Sequence, residues 1–211
     1  LHKIEGVDTT DDKSLRDWFV KSAAVETFFS WHKYKKENTK TQGVGSPLLQ
    51  TTLDNGTPPT DDDKDPEKLL QKGEIPDDFL RQMFYTFGDY KDIFFGKDVG
   101  NGKDLGKDSA TTSISENIAR ILNSDSQPSS GEPNNKREEW WEQHGPAIWD
   151  GMVCALGYNT ENRTKDDNVH KQLMEVIKNN KKYNYHTVIF SSVGPSSSAK
   201  LDEFSRIPQY F

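Results

Sequence analysis

Histidines, one cysteine and a surplus of carboxylates are the side chains in this 211-residue chain equipped for catalysis or metal binding. His2, His32, His144, His170 and His186 stand far apart. None belongs to an HExxH pair or to a Cys/His group at metal-ligand spacing. His32 and His144 lie beside tryptophans in helical patterns, which favours packing roles for both. An acid–base site needs two carboxylates held in different environments, and the acids here gather in loops and helix starts without singling out a pair. The glycines match neither a dinucleotide-binding nor a phosphate-binding loop, and Gly43-Val44-Gly45 is an isolated fragment. The expectation is a chain with no catalytic residues, no metal and no cofactor. Cys154, in the apolar run WDGMVCALGY, leaves three readings open. It is a buried free thiol, a disulfide half-cystine whose partner lies outside the chain, or a nucleophile that would need a histidine base beside it.

Binding chemistry has more to work with. Lys178, Lys181 and Lys182 form a basic cluster, with Lys171 two helical turns earlier and Glu175 breaking the run; Lys33, Lys35 and Lys36 form a second. Together they are the candidate binding residues, either as one face that takes an anion or glycosaminoglycan, or as ordinary solvated helix ends. The net charge of −7 argues against nucleic acid as a partner. Asn55-Gly56-Thr57 and Asn162-Arg163-Thr164 match the N-glycosylation pattern, which matters only in a glycosylating pathway.

The elements that must position these residues are helices. SLRDWFVKSAAVETFFSWHKYKK, Ser14 to Lys36, opens with a capping pattern at Ser14 and Asp17. It places Leu15, Trp18, Phe19, Ser22, Val25, Phe29 and His32 at three- and four-residue spacing, which predicts an amphipathic helix with that set inward. IPDDFLRQMFYTFGDYKDIFFG predicts a second helix, opened by Pro76 with Asp77 and Asp78 and closed by Gly96. Its apolar face runs from Phe79 through Leu80, Met83, Phe84, Phe87, Tyr90 and Ile93 to Phe94. A short helix is expected over Ser113–Leu122. Another is expected over about Lys136–Leu156, carrying Trp140, Trp141, His144, Ile148, Trp149, Met152, Val153 and Leu156 inward, with Gly145-Pro146 kinking or splitting it. A further helix is expected over Asp166–Asn179, YNYHTVIF is strand-like, and residues 38–72 and 97–112 are expected as flexible polar loops. Only 32% of residues are hydrophobic, but 5 Trp, 7 Tyr and 11 Phe supply burial area. The fold class is therefore mostly α, a helical bundle with long polar loops and little or no sheet. No stretch approaches a membrane span.

SLRDWFVKSAAVETFFSWHKYKK, IPDDFLRQMFYTFGDYKDIFFG and EEWWEQHGPAIWDGMVCAL resemble, in order, the signature blocks of Duffy-binding-like domains, more narrowly those of the variant erythrocyte membrane adhesins of malaria parasites. ETFFSWHKYK is similar in style to the β, γ or ζ subtypes. The resemblance implies a mostly helical extracellular module that is not an enzyme, working in adhesion of infected red cells to host receptors. It implies an intercellular adhesion molecule as first-choice partner, with immunoglobulin M or a sulfated glycan as alternatives, and a place at the infected-erythrocyte surface beside neighbouring domains of a membrane-anchored adhesin. By the same resemblance residues 1–211 are one module fragment, the central helical subdomain, with 200–211 starting the next. The family's cysteine-rich flanks are absent, which implies that Cys154 lacks its disulfide partner. The family's contact residues vary in position, so none transfers by motif.

Overall fold

The computed structural model describes residues 11–40, 65–96, 109–124, 133–180, 182–191 and 198–201. Six α-helices lie along these residues: α1 (Asp12–Lys40), α2 (Pro66–Gln71), α3 (Asp77–Phe95), α4 (Ser109–Ser124), α5 (Pro133–Ala155) and α6 (Asp167–Glu175). A π-helical turn (Val176–Asn180) continues α6, and two three-residue strands, β1 (Ile189–Ser191) and β2 (Ser198–Lys200), pair antiparallel with Ile189 opposite Lys200. The mostly α expectation holds, with one small ribbon as its sheet.

α1 starts earlier than its sequence signal suggests. Asp11 is the cap: its Oδ1 accepts from the Ser14 amide at 2.7 Å while Ser14 Oγ accepts from the Asp11 amide at 3.1 Å. Ser14 is thus the third-position partner of a reciprocal capping box, not its first residue. The buried stripe also departs from expectation. Leu15, Phe19, Ala23, Thr27 and Trp31 are buried, whereas Val25 and Phe29 are each 55% exposed. At about 100° per residue, successive four-residue steps advance the stripe by roughly 40°, so it winds round the helix; the expected set, at mostly three- and four-residue spacing, parts from that stripe beyond Phe19 and leaves its Val25 and Phe29 outward. The winding stripe prevails because α5 crosses α1 closely. A Cβ placed on Gly151 would stand 2.9 Å from Val20 Cγ1, and Ala23 is small and wholly buried. Thr27 tolerates burial because its hydroxyl donates to the Ala23 carbonyl at 2.8 Å.

α3 follows its sequence reading. Asp77 and Asp78 occupy the first turn, and Gly96, at φ 67°, takes the left-handed C-cap with its N–H on the Asp92 and Ile93 carbonyls. Phe79, Met83, Phe84, Phe87, Tyr90 and Phe94 are buried, and Leu80 packs against the core from its edge. α2 lies inside the stretch expected as loop 38–72. The Asp65 carboxylate caps it by accepting from the Glu67 amide, and Pro66 fills the first turn. α1 runs to Lys40 and α4 begins at Ser109, so both expected loops are trimmed by helix; residues 41–64 and 97–108 lie outside the described residues.

α5 carries Pro146 in its interior and continues as one helix, so of the expected kink or split the split does not occur. Proline supplies no N–H for the Glu142 carbonyl, and Glu142 lies on the exposed side of the helix. The bare Cα of Gly145 admits the Trp141 indole and the Tyr185 hydroxyl, at 3.2 and 3.3 Å from where a Cβ would sit. The Asp166 carboxylate caps α6 through the Asn168 and Val169 amides. YNYHTVIF is mostly turn: Asn184 Oδ1 accepts from the His186 amide, and the Asn184 carbonyl takes the Thr187 and Val188 amides, which confines the strand to Ile189 onward.

The core is aromatic. Phe19 lies at its centre, edge-on to Trp18, Tyr90, Phe94, Trp140 and Trp141, with Phe94 stacked on Trp140 at 4.5 Å. Trp149 packs on Phe84 and Phe87 and donates its indole N–H to the Tyr183 carbonyl at 2.8 Å. The Tyr183 hydroxyl accepts the Ile75 amide at 2.8 Å, tying the α2–α3 link to the chain after α6.

Candidate binding surface

The structure separates the lysines that were candidate binding residues. α1, which carries Lys33, Lys35 and Lys36, and the π-helical turn, which carries Lys178, share no packing among the described residues. Lys33 meets Glu37 at 3.8 Å on the solvent side. Lys35 is held inward, its side chain 12% exposed, with its ammonium 2.5 Å from Glu67 Oε1 and 5.9 Å from the Trp31 ring. That geometry makes Lys35 a clamp between α1 and α2, with its charge spent inside the fold. Lys36 is exposed beside a cleft. Lys178 and Lys182 are exposed, with the Lys182 ammonium 5.3 Å from the Tyr183 ring, and Lys181 lies outside the described residues.

The cleft at the end of α1 opens between α2 and the turn after α5, lined by His32, Lys35, Lys36, Asp65, Glu67 and Glu161. Its charges alternate in sign, and the strongest pair, Lys35 with Glu67, is already joined. His32 Nδ1 is buried and stands 3.6 Å from Glu161 Oε1, too long for a hydrogen bond. His144 is buried against Trp140 with Nε2 3.3 Å from Asp12 Oδ2, and the Trp140 indole N–H also donates to Asp12, so this histidine is a packing residue at the α1–α5 junction. No group of three His, Cys, Asp or Glu side chains is placed to hold a metal among the described residues. Cys154 is a half-buried free thiol.

A surface that sequence reasoning assigned to the core lies on the outer side of α1. Val25 and Phe29 are more than half exposed, and the Phe28 ring meets Phe29 edge-on at 5.5 Å. The clue was available: α1 carries more large apolar residues than one stripe can bury. Beside the patch, Glu26 accepts from the Tyr90 hydroxyl at 2.9 Å. Burial, then the Glu26 charge, raises the Tyr90 phenol above its ordinary range. Asp89 is also raised, first by desolvation and then by the Glu26 and Asp92 carboxylates. The apolar patch therefore adjoins a negatively charged edge shared by α1 and α3. Apolar centre and charged margin are the ingredients of a protein-contact surface.

No helix among the described residues is long and apolar enough to cross a membrane. Among curated proteins and among solved structures, nothing matches the chain. A family model described as the Duffy binding domain matches residues 1–210.

Proposed function

Because the chain belongs to the Duffy-binding domain family, whose members are extracellular adhesin modules that bind host receptors and are generally not enzymes, we propose that it binds a protein receptor on a host cell, of the intercellular adhesion molecule type. In this reading it works at the surface of infected erythrocytes in malaria, as part of a larger membrane-anchored adhesin, and contributes to virulence and antigenic variation. Residues 1–211 form the central helical unit, with 200–211 leading into a further one. The observation that carries the proposal is the match over residues 1–210. The exposed Val25 and Phe29, with the half-buried Phe28 against Phe29, beside Glu26 and Asp89 support it, because a receptor with an apolar centre and basic margin complements that face. Contact areas of such complexes are on the order of 800 Å² per partner.

The test is saturable binding of the folded chain to a panel of host receptor ectodomains, comparing it with a Val25→Ser/Phe29→Ser double variant. A receptor that the parent binds and the variant loses at least about tenfold, roughly 1.4 kcal/mol, supports the assignment. Absence of any saturable partner across the panel overturns it and favours a spacer role. Immunoglobulin M belongs on the same panel. A sulfated glycan partner would reveal itself by binding that falls steeply with salt and is lost on Lys178→Ala/Lys181→Ala/Lys182→Ala. The separation of the lysine clusters and the inward pairing of Lys35 weigh against that alternative.

A further inference from the structure

We infer that the partner of the outer α1 face presents an apolar side chain flanked by a lysine or arginine, with the apolar group on Phe29 and the cation seated between Glu26 and Asp89; this deepens the receptor-binding reading above and rests on it. The starting point is a helix face with nothing packed on it. Val25 and Phe29 are each 55% exposed and stand one turn apart on the same side of α1, with the Phe28 ring edge-on to Phe29.

Charge decides what fits there. Glu26 is exposed and borders Phe29 on the side facing α3, where its Oε2 accepts from the Tyr90 hydroxyl at 2.9 Å. Asp89 is exposed on the neighbouring α3. Desolvation first, then the Glu26 charge and then Asp92, raise the Asp89 carboxyl above its ordinary range, and no cation offsets those two carboxylates. Elsewhere on these helices a surface carboxylate has a cation within helical reach: Glu37 has Lys33 and Asp78 has Arg81. Glu26 instead has Ser22, Ala23, Phe29 and Ser30 at those spacings, and Asp89 has Tyr85, Thr86, Asp92 and Ile93. Among the described residues neither carboxylate is joined to a cation. Lys21 is exposed on the opposite margin, about 140° round the helix from Glu26 at 100° per residue. Lys33, on the Glu26 side, lies two turns further on and faces Glu37.

Two uncompensated carboxylates beside an uncovered aromatic ring are complemented by a cation next to an apolar group. A lysine or arginine supplies part of both, because its methylene stem can lie along the Phe29 ring while its head reaches the carboxylates. The same charges disfavour other occupants. A sulfated glycan is repelled, and a second copy of this chain would bring the same two carboxylates to the contact.

The experiment pans a phage-displayed library of random peptides against the immobilised folded chain, with Val25→Ser/Phe29→Ser as the counter-selection bait, so that the peptides kept are those that need this face. They are expected to combine Leu, Ile, Phe or Trp with an excess of Arg or Lys over the starting library. Kept peptides are then synthesised and titrated by calorimetry against Asp89→Lys and against Glu26→Gln/Asp89→Asn. In the double variant the glutamine oxygen still serves the Tyr90 hydroxyl, and thermal unfolding checks that both variants are folded. Affinity should fall at least about tenfold on Asp89→Lys, fall on the neutral double variant as well, and weaken for the parent as salt rises. Panning on Asp89→Lys should reduce the Arg and Lys excess. Face-dependent peptides without that excess, or with affinity indifferent to Asp89→Lys, overturn the inference, as does a library that yields no peptide needing Phe29. Self-association of the chain in sedimentation, abolished by Phe29→Ser, gives the face to a second copy and overturns it too. The two readings fail separately. A panel receptor lost on Val25→Ser/Phe29→Ser but indifferent to Asp89→Lys keeps the proposed function and sinks this inference. Basic, face-dependent peptides with no receptor on the panel keep the chemistry of the face and sink the proposed function.

Discussion

Removing one oxygen atom from Tyr183 should destabilise this fold by about 2 kcal/mol. Tyr183 is wholly buried, and its hydroxyl accepts from the Ile75 amide at 2.8 Å, across 108 positions of sequence. Ile75 is itself only 3% exposed. Tyr183→Phe preserves the ring, its packing and the carbonyl that receives the Trp149 indole N–H. It deletes only the partner of a backbone donor. A hydroxyl-sized gap is smaller than the space a water molecule needs, so the donor stays unsatisfied, at a cost of about 1–3 kcal/mol. For a chain of 150–250 residues each kcal/mol corresponds to roughly 2–4 °C, so the thermal midpoint should fall by about 4–8 °C. Urea unfolding followed by tryptophan fluorescence reads the free energy, and an unchanged slope with a lower midpoint identifies a native-state effect. Hydrogen exchange at the Ile75 amide should accelerate more than at amides in the middle of α5. A stability loss below about 0.5 kcal/mol, with exchange at Ile75 unchanged, would refute the reasoning, since 1–3 kcal/mol is the ordinary cost of an orphaned buried donor.

Three further outcomes are expected. Phe19→Ala empties the centre of the aromatic cluster and should cost about 3–5 kcal/mol, read as loss of cooperative unfolding or a collapse of the urea midpoint. Gly73→Ala should cost about 1–2 kcal/mol from the left-handed backbone alone, because Gly73 holds φ 77°, and the added Cβ would also press to 2.9 Å from Val176 Cγ2; a neutral result in calorimetry would contradict the backbone assignment. Asp89 has a folded-state pKa raised above 3.8, so the folded protein holds its proton more tightly and stability declines as pH rises from 3.8 through the raised value. Asp89→Asn should therefore unfold at higher temperature than the parent at pH 7 and lose that advantage below pH 3.8; an advantage independent of pH would show that charge is not its origin.

How much of this architecture could be read from the chain depended on how locally each element is specified. α3 was legible from end to end because Pro76, Asp77, Asp78 and Gly96 mark its limits and its apolar spacing admits one face. α1 was legible as a helix but ambiguous in orientation. Two stripes share Leu15 and Phe19, and only the close crossing with α5 at Gly151 selects the one through Ala23 and Trp31. α2 carries a cap and a first-turn proline, but six residues inside a polar stretch offer no periodicity to detect. YNYHTVIF has strand-forming composition, yet Asn184 diverts its first half into turns. For the candidate surface the limits were sharper. Proximity along the chain grouped the lysines, whereas the fold separates their helices and spends Lys35 on Glu67. The exposed Val25 and Phe29 were assigned inward for the same reason that α1's inner face was misjudged, although the surplus of large apolar residues on α1 hinted at a second face.

The crossing of α1 over α5 also bears on how the chain is made. Phe19 finds Trp140 and Trp141 only across the long interval from Lys40 to Pro133. At typical rates of synthesis that interval takes on the order of 5–20 s to emerge. During this time the aromatic side of α1 has no α5 to cover it, and closing so long a loop carries an entropic cost that local helix contacts do not repay. Despite its helical content, the molecule therefore has the nascent-chain hazard of a long-range fold. Its aromatic core is the last part to become safe from aggregation.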